Sequence, residues 1–140
     1  MTVEVVNITP GRVQQSLIKR AALATLDHFR EKRTVTVAVV GEKRIRELNR
    51  VYRQKDYATD VLSFVEAEAE ASDPSTLGEV VINYKQVKKQ AAAYGHGLRY
   101  ELAFIVIHGV LHLLGYEDKT KKGVTTMEEL GHKIVKKLKL

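Results

Sequence analysis

The chain has 140 residues, a formal net charge of +6 at pH 7 and no cysteine, which excludes disulfides and thiolate zinc sites. This length fits one domain, 1–140, that buries roughly 68–70% of its unfolded surface. No apolar run is long enough to span a membrane and no secretory signal opens the chain, so we expect a soluble intracellular protein without a membrane partner.

The first half of the chain predicts two strands and two helices. Residues 2–7 alternate weakly and predict a short strand, and Pro10-Gly11 marks a turn before a helix of about twenty residues. The β-branched run 34–40 predicts the clearest strand. Apolar residues at helical spacing predict a further helix over 44–52.

The second half continues this alternation. Its predicted elements are a loop at 55–60, a strand at 61–65, a solvated acidic loop to Ser75, a strand at 78–83, a basic helix at 84–94, a buried apolar helix through 102–114 and a lysine-rich helix from about Thr125. The interleaving predicts an α/β or α+β domain with a small mixed sheet of about four strands packed by about five helices.

Two histidines one helical turn apart mark the most informative segment. His108 and His112 lie on one helix face with Cβ atoms roughly 5–6 Å apart, so both rings can bind one ion. Gly115 allows a left-handed C-cap, and Asp118 follows where the reversing chain can bring back a third ligand. We therefore predict a metal site at the end of a buried helix; the alternative is a pair of core histidines bonded to backbone carbonyls.

The same spacing occurs in metzincin proteases, whose motif is H-E-x-x-H-x-x-G-x-x-H. Two positions differ, because Gly109 stands in place of the general-base glutamate and Asp118 in place of the third histidine. A metalloprotease is thus an alternative that rests on the histidine spacing alone.

Charge is unevenly distributed along the chain. Residues 119–140 hold seven lysines and two glutamates, a net charge of +5, whereas residues 66–79 hold five acidic residues and no basic one, a net charge of −5. A basic C-terminal segment beside a metal site suits a polyanion such as nucleic acid. The alternative is a solvated helix face with lysines near the helix C-terminus.

Three segments resemble the YbeY family of bacterial metal-dependent endoribonucleases. They are Leu48-Asn-Arg-Val-Tyr-Arg-Gln-Lys-Asp-Tyr-Ala-Thr-Asp-Val-Leu-Ser-Phe64, Leu77-Gly-Glu-Val-Val-Ile82 and His108-Gly-Val-Leu-His-Leu-Leu-Gly-Tyr116. The resemblance covers most of the chain. It implies a single α/β domain, a cytoplasmic location, a zinc ion held by three histidines, and roles in 3′-end maturation of the small-subunit (16S) ribosomal RNA and in ribosome quality control.

The family motif H-G-x-L-H-L-x-G-Y-D-H places its third histidine at Asp118 of this chain. A carboxylate can take that place, because its oxygen binds zinc at roughly 2.0–2.2 Å. Two histidines with one carboxylate also resemble the facial triad of non-haem iron proteins, so we expect one Zn²⁺ and leave another divalent metal open. Glu117 and His132 are alternative third ligands, with Asp118 ranked first.

The resemblance also suggests roles around the metal. Arg53 stands where the family motif carries an arginine, and we expect it to stabilise phosphate charge during catalysis; the alternative is a surface arginine at a helix end. Arg50 and Lys55 are expected to bind the RNA backbone, and Ser63 to face the cleft. Asp60 is expected to order its loop by bonding backbone amides.

Together these residues predict a single-strand-specific metallo-endoribonuclease whose partners are ribosomal RNA and the small ribosomal subunit. The main alternative is a non-catalytic RNA- or ribosome-binding module in which the ion only holds the helix end. The sequence leaves the oligomeric state and the cleaved RNA bond open.

Overall fold

A four-stranded mixed sheet forms the middle of the molecule. The computed structural model describes residues 3–140, in which the strands are β1 (Val3–Asn7), β2 (Thr34–Val40), β3 (Val61–Val65) and β4 (Thr76–Asn83). The strand order is β1-β2-β4-β3. β1 and β4 both pair in parallel with β2, whereas β3 runs antiparallel to β4 at the edge of the sheet. The two central strands are rich in valine, as expected for strands buried on both faces.

Five α-helices accompany this sheet within residues 3–140. They are α1 (Gln15–His28), α2 (Glu42–Arg53), α3 (Tyr84–Tyr94), α4 (Leu98–Leu113) and α5 (Lys121–Lys137), with a single 3₁₀ turn at Glu66–Glu68. The sheet and helices confirm the predicted fold class. None of these helices combines the length and apolarity that a membrane span requires.

Helix α4 lies at the centre of the larger hydrophobic core. It packs against α1, α3 and α5 and against strands β3 and β4, and Leu102, Val106, Ile107, Val110 and Leu111 are fully buried. A helix enclosed on all sides has to be apolar around its whole circumference, which explains the unbroken apolar run in its sequence. The histidines at its end are thereby held on a rigid support.

The opposite face of the sheet carries a smaller core. Helix α2 contributes Ile45, which packs with Ala38, Val40, Leu62 and Val81 from three strands. Because α2 also leads into the loop before β3, this smaller core sets the position of that loop beside the end of α4.

The predicted strands and helices exist, but several ends differ. Helix α1 has 14 residues rather than about twenty, because the helical conformation begins only at Gln15 and does not include Gln14. Helix α2 begins at Glu42, two residues before the predicted start, and β4 begins at Thr76 instead of Gly78. Strand β1 is described from Val3, since the predicted first residue, Thr2, lies outside the described residues.

Helix α5 begins at Lys121, four residues before the predicted start at Thr125. The Thr120 hydroxyl accepts a hydrogen bond from the Gly123 amide at 3.0 Å, which caps the helix at this earlier point. The predicted acidic loop is largely exposed, and the short 3₁₀ turn occupies its start.

Candidate metal centre

The two histidines of α4 point their Nε2 atoms at each other across 3.1 Å. The His112 Nδ1 atom lies 2.9 Å from the Tyr116 carbonyl oxygen. Because a carbonyl can only accept, Nδ1–H must donate, and the lone pair of His112 is then on Nε2. This backbone contact fixes both the tautomer and the ring orientation, as partners of metal-binding histidines commonly do.

Asp118 reaches the same point from the turn after α4. Gly115 has a φ of 101°, in the left-handed region that reverses the chain, and the Tyr116 amide bonds to the Leu111 carbonyl at 3.1 Å. The Asp118 Oδ2 atom then lies 3.4 Å from His108 Nε2 and 3.7 Å from His112 Nε2. Asp118 therefore faces both imidazoles.

These three distances fit a tetrahedral ion. Ligand atoms bound tetrahedrally at about 2.05 Å are separated from one another by about 3.3 Å, and the observed separations are 3.1, 3.4 and 3.7 Å. His108, His112 and Asp118 thus form a group that could hold a metal ion. Three protein ligands leave a fourth position for water or substrate, as in catalytic sites.

The environment of His108 favours the neutral, metal-binding form of its ring. Burial lowers the pKa of His108 below its ordinary value, and the nearby His112 ring lowers it further, while the Asp118 and Asp60 carboxylates partly offset both effects. Metal ligands must be deprotonated to bind. The lowered pKa keeps this imidazole available at neutral pH.

The two alternative third ligands have other partners. The Glu117 carboxylate is 3.6 Å from the Lys119 ammonium. His132 stacks on Phe104 at 4.8 Å between ring centroids and bonds through Nδ1 to the Tyr100 hydroxyl. Among residues 3–140, only the His108, His112 and Asp118 group meets the spacing of a metal site, so the residue ranked first is the one that the fold brings into place.

Gly109 has a packing reason to lack a side chain. A Cβ atom at this position would lie 2.5 Å from Val80 Cγ1 and 3.2 Å from Val61 Cγ2. The helix therefore rests directly on β3 and β4, and the Ser63 hydroxyl donates to the Gly109 carbonyl at 2.8 Å. A glutamate cannot occupy this position without moving α4 from the sheet, which argues against the metalloprotease alternative.

A cleft of about 710 Å³ opens beside the three ligands, and its walls include Arg53, Lys55, Ser63 and Asp60. The Arg53 guanidinium donates to the Ser63 carbonyl at 2.7 Å and lies 4.9 Å from the centre of the Phe64 ring. Arg53 is thus oriented at the cleft wall by two contacts.

The other candidate substrate-binding residues differ in their position relative to the cleft. Lys55 is exposed at the rim of the cleft, whereas Arg50 is exposed on α2 and is not among the residues that line it. Ser63 lines the cleft as expected, but its hydroxyl already donates to the Gly109 carbonyl. Ser63 therefore holds the helix against the strand, and its role toward substrate stays a prediction.

The loop between α2 and β3 depends on two asparagines that the sequence analysis missed. Buried Asn49 donates to the Tyr57 carbonyl at 2.9 Å, and buried Asn83 donates to the Thr59 carbonyl at 3.1 Å. An asparagine on the buried face of an amphipathic helix was the available signal for Asn49, because buried amides require partners. Both residues fix the loop that forms one wall of the cleft.

Asp60 is held in a way that differs from the prediction. Its backbone carbonyl accepts from the Asn83 amide at 2.8 Å, and its carboxylate accepts from the Thr59 hydroxyl at 3.2 Å. No backbone amide among residues 3–140 bonds to this carboxylate, so the neighbouring strand, not an Asx-type turn, orders the loop.

Comparison with known proteins agrees with this architecture. A solution structure of a Thermotoga maritima protein superposes with a TM-score of 0.63 at 24% identity, covering 98% of this chain and 91% of that protein. At this identity the similarity shows the fold alone, and it supports the observed arrangement of sheet and helices.

Sequence comparison identifies the family. The sequence profile of the family described as "Endoribonuclease YbeY" matches residues 5–139. The chain is 41% identical over 125 residues to Endoribonuclease YbeY of Carboxydothermus hydrogenoformans, covering 89% of this chain and 86% of that protein. It is 46% identical over 110 residues to Endoribonuclease YbeY of Geobacillus kaustophilus, covering 73% and 70% respectively. The chain therefore belongs to the YbeY family of endoribonucleases.

Proposed function

We propose that this chain is a single-strand-specific, metal-dependent endoribonuclease that acts in the cytoplasm on ribosomal RNA. Its substrate would be the 3′ end of the small-subunit RNA, its partner the small ribosomal subunit, and its further role ribosome quality control. The observation that carries the proposal is the convergence of two imidazoles and a carboxylate on one point of an open cleft. Family membership connects that geometry with RNA hydrolysis.

Zinc is the proposed ion, because two ring nitrogens and one carboxylate oxygen at tetrahedral spacing suit it. The same donor set also suits iron or another divalent metal, so elemental analysis has to decide. When bound, such an ion would activate water and offset the charge of a phosphodiester. The ion would be held by His108, His112 and Asp118. The Tyr116 carbonyl would keep the His112 ring in its metal-binding orientation.

Arg53 is the proposed phosphate-binding residue. A guanidinium has five N–H donors, and those of Arg53 reach the carbonyls of Ser63 and Tyr52. The donors not used in these contacts can bind a phosphate oxygen at the cleft, where a fixed planar group binds with little loss of side-chain freedom. Lys55 at the rim, and Arg50 further along α2, would interact with the RNA backbone on either side.

Metal analysis and RNA cleavage on the same samples test the proposal. We expect wild type to hold about one ion and to cut single-stranded RNA, as three protein ligands and an open position would allow. Asp118→Ala should lose both properties, whereas Asp118→His should keep the metal. Glu117→Ala is the matched control, since its exposed carboxylate adjoins Asp118 and lies beside Lys119 instead. Metal binding and cleavage that survive Asp118→Ala would overturn the ligand assignment.

Arg53 separates catalysis from metal binding in the same assay. Arg53→Ala should keep the ion while cleavage falls by about 10²–10³-fold, the usual effect of removing one charge-stabilising donor. The competing function is an RNA-binding module with a structural ion. That function would be favoured by a metal-loaded wild type that binds RNA and does not cut it.

A further inference from the structure

A second cavity lies behind the metal centre. It has a volume of about 320 Å³, at the lower end of the range for ligand sites. Asp60 and His108 line both this cavity and the metal cleft. A single-stranded substrate bound at the metal could therefore extend into the second cavity without leaving the surface.

Glu101 lines this cavity from the first turn of α4, and the residue as a whole is 3% exposed. No hydrogen bond or ion pair to its carboxylate is found within residues 3–140. Since no unpartnered polar side-chain atom in these residues is sealed from solvent, the carboxylate oxygens are accessible at the cavity and free to accept from a ligand. Burial raises the pKa of Glu101, and the Asp60 charge raises it further, whereas His96 opposes the change. A ligand that donates N–H groups would satisfy this carboxylate.

The charge of the cavity disfavours a phosphate as that ligand. Asp60, Glu101 and Glu128 line it together with three histidines (His96, His108 and His132), and its lining includes no lysine or arginine. An anion would be repelled, whereas a neutral group rich in donors would be attracted. The phosphate of a bound strand would therefore stay on the side of the metal and Arg53.

Aromatic side chains give the cavity flat walls. Phe104 lines it in a stack with His132, their ring centroids 4.8 Å apart. Tyr94 lines it from the end of α3 with 65% of its surface exposed, so a face of its ring is free. Flat walls with hydrogen-bonding groups at the edge are the arrangement by which proteins bind unpaired RNA bases.

We propose that this cavity binds a guanine base of the nucleotide next to the scissile phosphodiester, with the Glu101 carboxylate accepting from guanine N1–H and N2–H. Guanine is the RNA base that presents two adjacent donors on its Watson–Crick edge, whereas cytosine and adenine present a donor beside an acceptor. The proposal rests on the nuclease function above and names a base preference for the same site.

Nucleoside binding tests the site directly, because nucleosides lack the phosphate that the metal would attract. NMR titration of the metal-loaded protein with guanosine should shift the ring signals of Tyr94 and Phe104. Inosine, which lacks the N2 amino group, should bind several-fold more weakly, and adenosine should give no comparable shift. Equal shifts with adenosine, or no shift with guanosine, would overturn the proposal whether or not the protein cuts RNA.

Variants of the cavity separate recognition from folding. Glu101→Gln should weaken guanosine binding at least tenfold and keep or raise the thermal midpoint, because it removes a partly desolvated negative charge close to that of Asp60. Tyr94→Ala, on the surface, should weaken binding without affecting folding. Glu79→Gln is the control, since Glu79 is exposed on β4 and outside this cavity. A lower midpoint for Glu101→Gln with unchanged guanosine binding would show a purely structural role.

Cleavage of RNA oligonucleotides with a single guanine completes the test. Wild type should cut preferentially beside guanine, and inosine substitution at that position should reduce the preference. Cleavage without base preference would overturn the cavity proposal and leave the nuclease function intact. Guanosine binding without any RNA cleavage would instead support the base site and contradict the nuclease function.

Discussion

Gly109 shows how one residue joins the fold to the site. It follows His108, the first of the two candidate metal ligands on α4, and its missing side chain lets α4 touch Val80 and Val61. The close approach also brings its carbonyl to the Ser63 hydroxyl. The position of His108 relative to the cleft thus depends on a residue that has no chemistry of its own.

Gly109→Ala should destabilise the protein although alanine is the better helix former. Helix propensity alone predicts a gain of about 1 kcal/mol. The added Cβ would lie 2.5 Å from Val80 Cγ1, and such overpacking costs about 1–3 kcal/mol. Urea denaturation should therefore show a lower midpoint, with metal affinity reduced as α4 shifts. A higher midpoint would mean that the sheet yields to the methyl group at little cost.

At the scale of elements, regular patterns were predictable and their ends were not. The bounds of β2, β3 and α3 agree with the sequence prediction, because β-branched runs and helical spacing are local signals. The start of α5 was missed because the Thr120 cap outweighs the later apolar spacing. The contacts between a loop and its neighbouring strands depend on which side chains the tertiary fold buries, so a local sequence pattern does not predict them.

The loop before β3 offers a test of such a tertiary connection. Asn83 accepts from the Gln86 amide at the start of α3 and donates to the Thr59 carbonyl. Asn83→Ala removes both bonds in a buried position and should cost about 2–4 kcal/mol. Asn83→Asp keeps an acceptor for the cap, but it places a carboxylate against the Thr59 carbonyl in a fully buried position, so it should lose at least as much.

Thr120→Ala is the control for a cap alone, because the Thr120 hydroxyl caps α5 and is exposed. Its expected cost is about 1 kcal/mol. The urea midpoint should therefore fall least for Thr120→Ala and further for both Asn83→Ala and Asn83→Asp. Equal losses for Thr120→Ala and Asn83→Ala would show that the loop connection contributes nothing.

At the scale of the molecule, the sequence predicted which three side chains lie together at the candidate metal centre but not their surroundings. The sequence spacings between His108, His112 and Asp118 correspond to one helical turn and one chain reversal, and both can be recognised from the sequence alone. The cavity around Glu101 unites residues from α3, α4, α5 and the loop before β3, so no local pattern could reveal it. Arg50 and Arg53 illustrate the same limit, since only the folded arrangement shows that Arg53 alone of the two lines the cleft.

The basic start of α5 should contribute to RNA binding through charge. Lys121 and Lys122 are exposed shortly after Asp118, and Gly123 packs against the Glu117 carbonyl, which holds this turn beside the metal centre. Replacing both lysines by glutamine should reduce the slope of log K against log[salt] by about 1.4 if each contacts one phosphate of single-stranded RNA.

Two lysines at the other end of α5 serve as the control for this experiment. Lys133 and Lys137 lie near His28, and the Lys137 ammonium is 2.6 Å from the His28 Nδ1 atom. Glutamine at these two positions removes the same charge and should leave the slope nearly unchanged. Equal slopes for the two double variants, measured by fluorescence anisotropy, would indicate that RNA responds only to net charge.

The structural support of the third candidate ligand, Asp118, differs from that of the two histidines. His108 and His112 are built into a helix that is buried along its length, whereas Asp118 is 44% exposed and belongs to a turn. A turn can adjust to a longer or shorter side chain without repacking the core. Aspartate and histidine codons differ by one nucleotide, so a lineage can exchange them at this position in a single step. The charge and donor type at this position can therefore change while the fold is inherited unchanged.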